Sequence, residues 1–161
     1  MNNSSLDILI DVSIKYPELN GIKYKTDEQT IAMKFALQGI PAADDLQGLQ
    51  GKLYKSYQAY HALCGSDPHI FEITAKKFEG IVFFTLYRDE DTLTKEEIDL
   101  YITILKDDYD HYLIKDKIDM ITNDTYKQSL KKNLLHRISQ SQNCSNFWAF
   151  RQGGKVFVLN N

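Results

Sequence analysis

The sequence predicts an α+β domain, with an antiparallel sheet of about six strands built from three hairpins and three or four helices packed on it. Three observations lead there. Three segments alternate with the period of two expected of half-buried strands, and the segments between them carry the 3.6-residue period of amphipathic helices. No linker rich in Pro, Gly or Ser divides the 161 residues, so the chain is read as one domain, 1–161. That length can bury a real core without metals or disulfides.

Taken in order, the opening segment has Ser4 and Ser5 as candidate N-caps and Pro17 beyond its end. These favour a helix over residues 5–16, although Ile8, Ile10, Val12, Ile14 and Tyr16 also alternate as a strand would. In IKYKTDEQTIAMKFAL, Ile31, Met33, Phe35 and Leu37 alternate with Ala32, Lys34 and Ala36, the pattern of a half-buried strand. A helix follows over roughly 42–64, with Leu46, Leu49, Leu53, Tyr57, Tyr60 and Cys64 on a common face. Gly48 and Gly51 each cost it about 1 kcal/mol relative to alanine, which makes its first turns a candidate loop.

The second hairpin is FEITAKKFEGIVFFTLY, whose second arm, 81–87, is apolar on both faces and predicts a central strand covered on both sides. In LTKEEIDLYITILKDDYDHYL, Thr94 and Glu97 have the spacing of a capping box, and Leu93 and Ile98 that of a hydrophobic staple. Ile98, Tyr101, Ile102, Leu105, Tyr109 and Tyr112 make its apolar stripe. A further helix is predicted around 124–140 from Leu130, Leu134 and Ile138. The last hairpin, NFWAFRQGGKVFVLN, has Gly153-Gly154 to supply the positive φ angles of a primed two-residue turn. That turn sets Phe150 opposite Phe157 and Trp148 opposite Leu159 on one side, with Phe147, Ala149, Val156 and Val158 on the other. Both sides are apolar, so either helices cover both or another chain closes one.

Hydrophobic residues at 43% and aromatics at 12% are those of a folded globule. No apolar run approaches the roughly 20 residues of a membrane span, and the N-terminal stretch lacks the basic region of a signal peptide. A cytoplasmic location is expected. Cys64 and Cys144 fit neither a disulfide framework nor a zinc-knuckle spacing, and both are expected reduced and buried or half-buried.

The stretch YQAYHALCGSDPH, residues 57–69, gathers His61, Cys64, Asp67 and His69. His61 and Cys64 are three apart on a helix, and His69 beyond Gly65 would add a third ligand type that zinc accepts, but no fourth lies nearby. A structural account explains every residue: Cys64 extends the apolar stripe, Gly65 caps the helix, and His61 sits where the helix dipole favours an imidazolium. The run RDED, 88–91, supports a metal-assisted hydrolase using Asp89, Asp91 and His61 or His69. Asp89, Glu90 and Asp91 equally suit an exposed turn, and Glu96 and Glu97 a first helical turn. No Gly-rich phosphate loop, GxSxG or HExxH occurs. No catalytic residue, metal ligand or cofactor is therefore assigned.

Charge is unevenly placed. Residues 1–124 hold all 22 acidic groups and 13 basic ones, while residues 125–161 hold 6 basic groups and no acidic one. Lys127, Lys131, Lys132 and Arg137, followed by the aromatics of FWAFR, suit single-stranded nucleic acid across 125–151, where phosphates are neutralised and bases stack. The preferred reading pairs this basic stretch with Glu96, Glu97, Asp99, Asp107, Asp108 and Asp110 of the preceding helix. The function expected is that of a non-catalytic cytoplasmic protein-interaction or regulatory domain, binding another protein or self-associating through the C-terminal hairpin. Its contacts would be Phe147, Trp148, Phe150, Arg151 and Phe157, with no membrane and no small-molecule ligand. Nucleic-acid binding and metal-assisted hydrolysis are the alternatives.

Overall fold

The computed structural model describes residues 3–41, 46–116, 132 and 146–160. Its elements are α1 (Asn3–Lys15), β1 (Gly21–Lys25), β2 (Thr30–Gln38), α2 (Gln47–Cys64), β3 (Phe71–Phe78), β4 (Ile81–Asp89), α3 (Lys95–Tyr109), β5 (Asn146–Gln152) and β6 (Lys155–Asn160). The six strands form one antiparallel sheet in the order β3-β4-β2-β1-β5-β6, three hairpins side by side. The α+β prediction holds, with three helices among the described residues. The helix predicted around 124–140 lies outside them.

Register follows from turn chemistry. Gly153 and Gly154 have φ of 61° and 81°, and this primed turn pairs Phe150 with Phe157 and Trp148 with Leu159, as its sequence predicts. β1 pairs with β2 through Ile22↔Met33 and Tyr24↔Ile31, and β2 with β4 through Phe35↔Phe84 and Leu37↔Val82. Where β1 ends, residues 112–114 continue its place beside β2, with a Leu37↔Leu113 bridge.

All three helices lie on one face. α1 contacts β1 and β5, and its Ser13 and Ile14 carbonyls accept from Arg151; Tyr57 of α2 stacks on Phe71 at 4.3 Å; Glu97 of α3 meets Arg88. Beneath them lies one core that includes Leu9, Ile10, Ile22, Met33, Phe35, Phe84, Leu86, Ile98 and Leu105, each at most 2% exposed. Burial of this kind contributes about 1.5–3 kcal/mol per large apolar side chain.

Several boundaries differ from expectation. α1 spans Asn3–Lys15, which places Ser4 and Ser5 inside the helix. α2 begins at Gln47, and Gly48 and Gly51 fall in its first turns. Thr94 caps α3 by accepting from the Glu97 amide, but the Glu97 carboxylate turns inward and does not complete the box. β4 is central as predicted, and among the described residues helices lie on one side of it only; on the other side Phe83 is 45% exposed while Thr85 is buried.

Candidate functional site

Polar chemistry concentrates in two places, one beneath the helices and one on the opposite face of the sheet. The first is built on Arg88, which shares its strand parity with Val82, Phe84 and Leu86 and is therefore driven into the core. The side chain is 0% exposed, and every nitrogen of the guanidinium is engaged. Nε donates to Glu97 Oε1 at 2.7 Å and Nη2 to Glu97 Oε2 at 3.2 Å. Nη1 donates to the Ile70 carbonyl at 2.8 Å and to Asp89, and Nη2 to Thr92 at 2.9 Å and His61 Nε2 at 2.9 Å. The Tyr57 ring lies 5.1 Å from Cζ. Because a guanidinium has only hydrogens to give, we assign His61 Nε2 as acceptor, which puts the imidazole proton on Nδ1, 2.5 Å from Ser66 Oγ.

Titration in this cluster follows from its charges. Burial pushes the Asp89 carboxyl up, but Thr92, the Ile70 amide and Arg88 overcome it and hold it down at about 2. Burial would lower Arg88, and Glu97 more than restores it, so the guanidinium stays charged. Burial and the Glu97 carboxylate beside it both raise Tyr101, whose hydroxyl donates to Glu97.

This arrangement corrects several readings of the sequence. Asp89 and Glu90 are buried and not in an exposed turn; Glu90 accepts from Tyr24, while Asp91 is exposed. His61 is 4% exposed, and its Nε2 meets the Arg88 guanidinium beneath the helices rather than standing at an open helix end. Cys64 is exposed, because the α2 stripe runs Leu49, Leu53, Tyr57, His61 in steps of four and passes it by. His69 is exposed at its ring, and only its backbone amide meets Asp89, at 3.2 Å. The cation between the carboxylates of Asp89 and Glu97 is thus Arg88. Among the described residues no group of three His, Cys, Asp or Glu side chains is placed to hold a metal ion.

The second cluster occupies the face that no described helix covers. Strand register lines its residues into rows. One row runs Glu72, Tyr87, Ala32, Lys23, Trp148, Leu159 and the next runs Thr74, Thr85, Lys34, Gly21, Phe150, Phe157. A third holds Lys76, Phe83 and Ala36. Phe150 and Phe157 stack at 5.4 Å, and Trp148 meets Phe150 edge to face at 6.2 Å. Gly21 makes room for the indole, since a Cβ there would lie 2.9 Å from Trp148 Nε1. Lys34 Nζ lies 4.7 Å from the Trp148 ring centre, and Lys25 Nζ 5.9 Å from that of Tyr87. Toward β3 the face opens into a cleft lined by Lys34, Lys76, Lys77, Phe78, Phe83 and Tyr87.

On the helix side Lys55 and Lys77 have no carboxylate partner among the described residues, but most lysines do. There Lys15, Lys52, Lys95, Lys106 and Lys115 each pair with a carboxylate. On the open face only Lys25 does, with Glu28 at 3.6 Å, and Lys23, Lys34 and Lys76 have no carboxylate partner among the described residues. Burial and the positive charges of Lys23, Lys76 and Lys25 hold the Lys34 ammonium below its usual value.

Of the contacts expected in the last hairpin, Trp148, Phe150 and Phe157 lie on this face. Phe147 and Arg151 point the other way: Phe147 is in the core, and Arg151 donates to the Ile14 carbonyl at 2.7 Å. Lys127, Lys131 and Arg137 lie outside the described residues, and Lys132 is exposed. Among the described residues Asp99 pairs with Lys15, Asp108 with Lys52 and Glu97 with Arg88, and the pairing expected between α3 and the basic stretch falls outside them. Lys23, Lys34 and Lys76 escaped the sequence reading because only the pairing of four strands brings them together. Comparison of the chain with protein-family models, curated proteins and solved structures finds no match.

Proposed function

We propose that the protein is a non-catalytic binding domain whose contact surface is the sheet face that no described helix covers, and that its partner is an anionic macromolecule. One observation carries the reading: Lys23, Lys34 and Lys76, without carboxylate partners among the described residues, stand beside the exposed Phe83 and Phe157 on the side away from every described helix. Unneutralised lysines around flat apolar rings favour a partner that brings negative charge and surface together. The exposed free thiol of Cys64 suits a reducing compartment, which supports a cytoplasmic location. No helix among the described residues is long and apolar enough to cross a membrane.

Despite a net charge of −3, the protein is expected to be retained on immobilised heparin at low salt and released as salt rises. Lys76→Glu, at an exposed position, should weaken retention while melting at the native temperature, because exposed charges contribute little to stability, and adding Lys23→Glu, at a half-buried position, should abolish retention. Native protein that flows through would remove the reading.

A further inference from the structure

We propose that the ligand of the open face is single-stranded nucleic acid, with Trp148, Phe150 and Phe157 stacking bases and Lys23, Lys34 and Lys76 meeting phosphates. The proposal rests on the reading of this face as the binding surface and names what binds there. Three kinds of partner can be compared by what they offer the face. An acidic peptide would neutralise the lysines but leave the stacked pair Phe150–Phe157 and the 43% exposed Phe157 ring with nothing flat to cover them. A second copy laid face to face would cover the rings but bring two sets of unpaired ammonium groups together, and burying like charges is strongly unfavourable. A single strand supplies both requirements at once, because each nucleotide has a phosphate and every base has a π-face.

The layout suits that ligand. The rings stand at the β5–β6 end; Lys23 pairs directly with Trp148, and Lys34 reaches the indole across Gly21, where the missing side chain leaves room. Lys76 continues the positive charge over β3, next to the exposed Phe83. Neighbouring rows are separated by two residues along a strand, about 7 Å, so successive ligand units can meet successive rows. A duplex gains less here, since its bases are already stacked and paired and cannot reach the rings. In the sequence, residues 125–145, which lead into β5, hold 4 basic residues, Lys127, Lys131, Lys132 and Arg137, and no acidic one.

Trp148 is the only tryptophan in the chain, so its fluorescence reports this face directly. The intact protein would be titrated with oligo-dT and oligo-U of about 12 nucleotides, with a DNA duplex of the same length, and with polyglutamate. Saturable quenching by the single strands is expected, with the duplex at least tenfold weaker. With three or four phosphates neutralised, raising salt from about 50 to 200 mM should weaken the complex about 20- to 50-fold. Tighter binding of oligo-U assigns RNA as the source, and of oligo-dT, DNA. Phe157→Ala should weaken binding about 5- to 100-fold. Lys23→Glu with Lys76→Glu should weaken it at least tenfold, and the exposed Lys76→Glu alone, at an unchanged melting temperature, serves if the pair disturbs folding. Lys55→Glu, on the helix side, should have no effect. Lysine-dependent heparin retention without oligonucleotide binding, or polyglutamate bound more tightly than either strand, would overturn the nucleic-acid ligand and leave the binding face standing. Loss of heparin retention as well would overturn both.

Discussion

Arg88→Met is expected to cost about 3–5 kcal/mol of stability, which for a chain of this size lowers the melting temperature by about 6–20 °C. The loss does not come from the methionine, which fits the volume and suits the apolar surroundings. It comes from what remains. Glu97, 0% exposed, would lose both guanidinium hydrogen bonds and keep only the Tyr101 hydroxyl as a donor, and Asp89 would lose its guanidinium partner. The Ile70 carbonyl and Thr92 would each lose a donor. Adding Glu97→Gln removes the stranded charge and should restore part of the loss, so the double variant should be more stable than the sum of the single losses implies. Urea unfolding of the two single variants and the double variant measures this coupling. A cost for Arg88→Met below about 1 kcal/mol would show that the network stabilises little.

Acid is expected to remove about 2 kcal/mol through Asp89 alone. Its carboxyl is held at about 2 in the folded chain, below its ordinary 3.8. A depressed value means that folding favours the charged form, so the stabilisation is complete above about pH 4 and is lost as pH falls from there toward 2. Asp89→Asn removes the titrating group. The stability difference between native and Asp89→Asn protein should therefore shrink steadily over that window, as followed by urea midpoints at successive pH values. A difference that stays constant down to about pH 2 would contradict the assigned role.

The fold was legible where local chemistry decides it. The Gly153-Gly154 turn, the Thr94 cap and the strand alternation of β2 each act within a few residues, and each predicts what the structure shows. The Arg88 cluster was hidden because its members come from the end of α2, the end of β4 and the first turn of α3. One signal pointed to it: an arginine at the inward parity of IVFFTLYR needs buried partners, and Glu97 with Tyr101 four residues on offers them. The lysine face had no such local signal. Lys23, Lys34 and Lys76 each read as an ordinary strand lysine, and their concentration depends on which strands pair.

The pairing of β1 with β5 joins Lys25 to Asn146 and Gly21 to Phe150, so the middle of the sheet is closed by segments from opposite ends of the chain. Such non-local contacts slow folding, because a long loop must close before any of them forms. At a synthesis rate of about 5–20 residues per second, β1 leaves the ribosome roughly 6–25 s before its partner exists. For that interval the edge that β5 will cover, with Ile22 and Tyr24 beside it, is open to other strands. The nascent chain is therefore most prone to aggregate during synthesis, and the risk ends when the last hairpin docks.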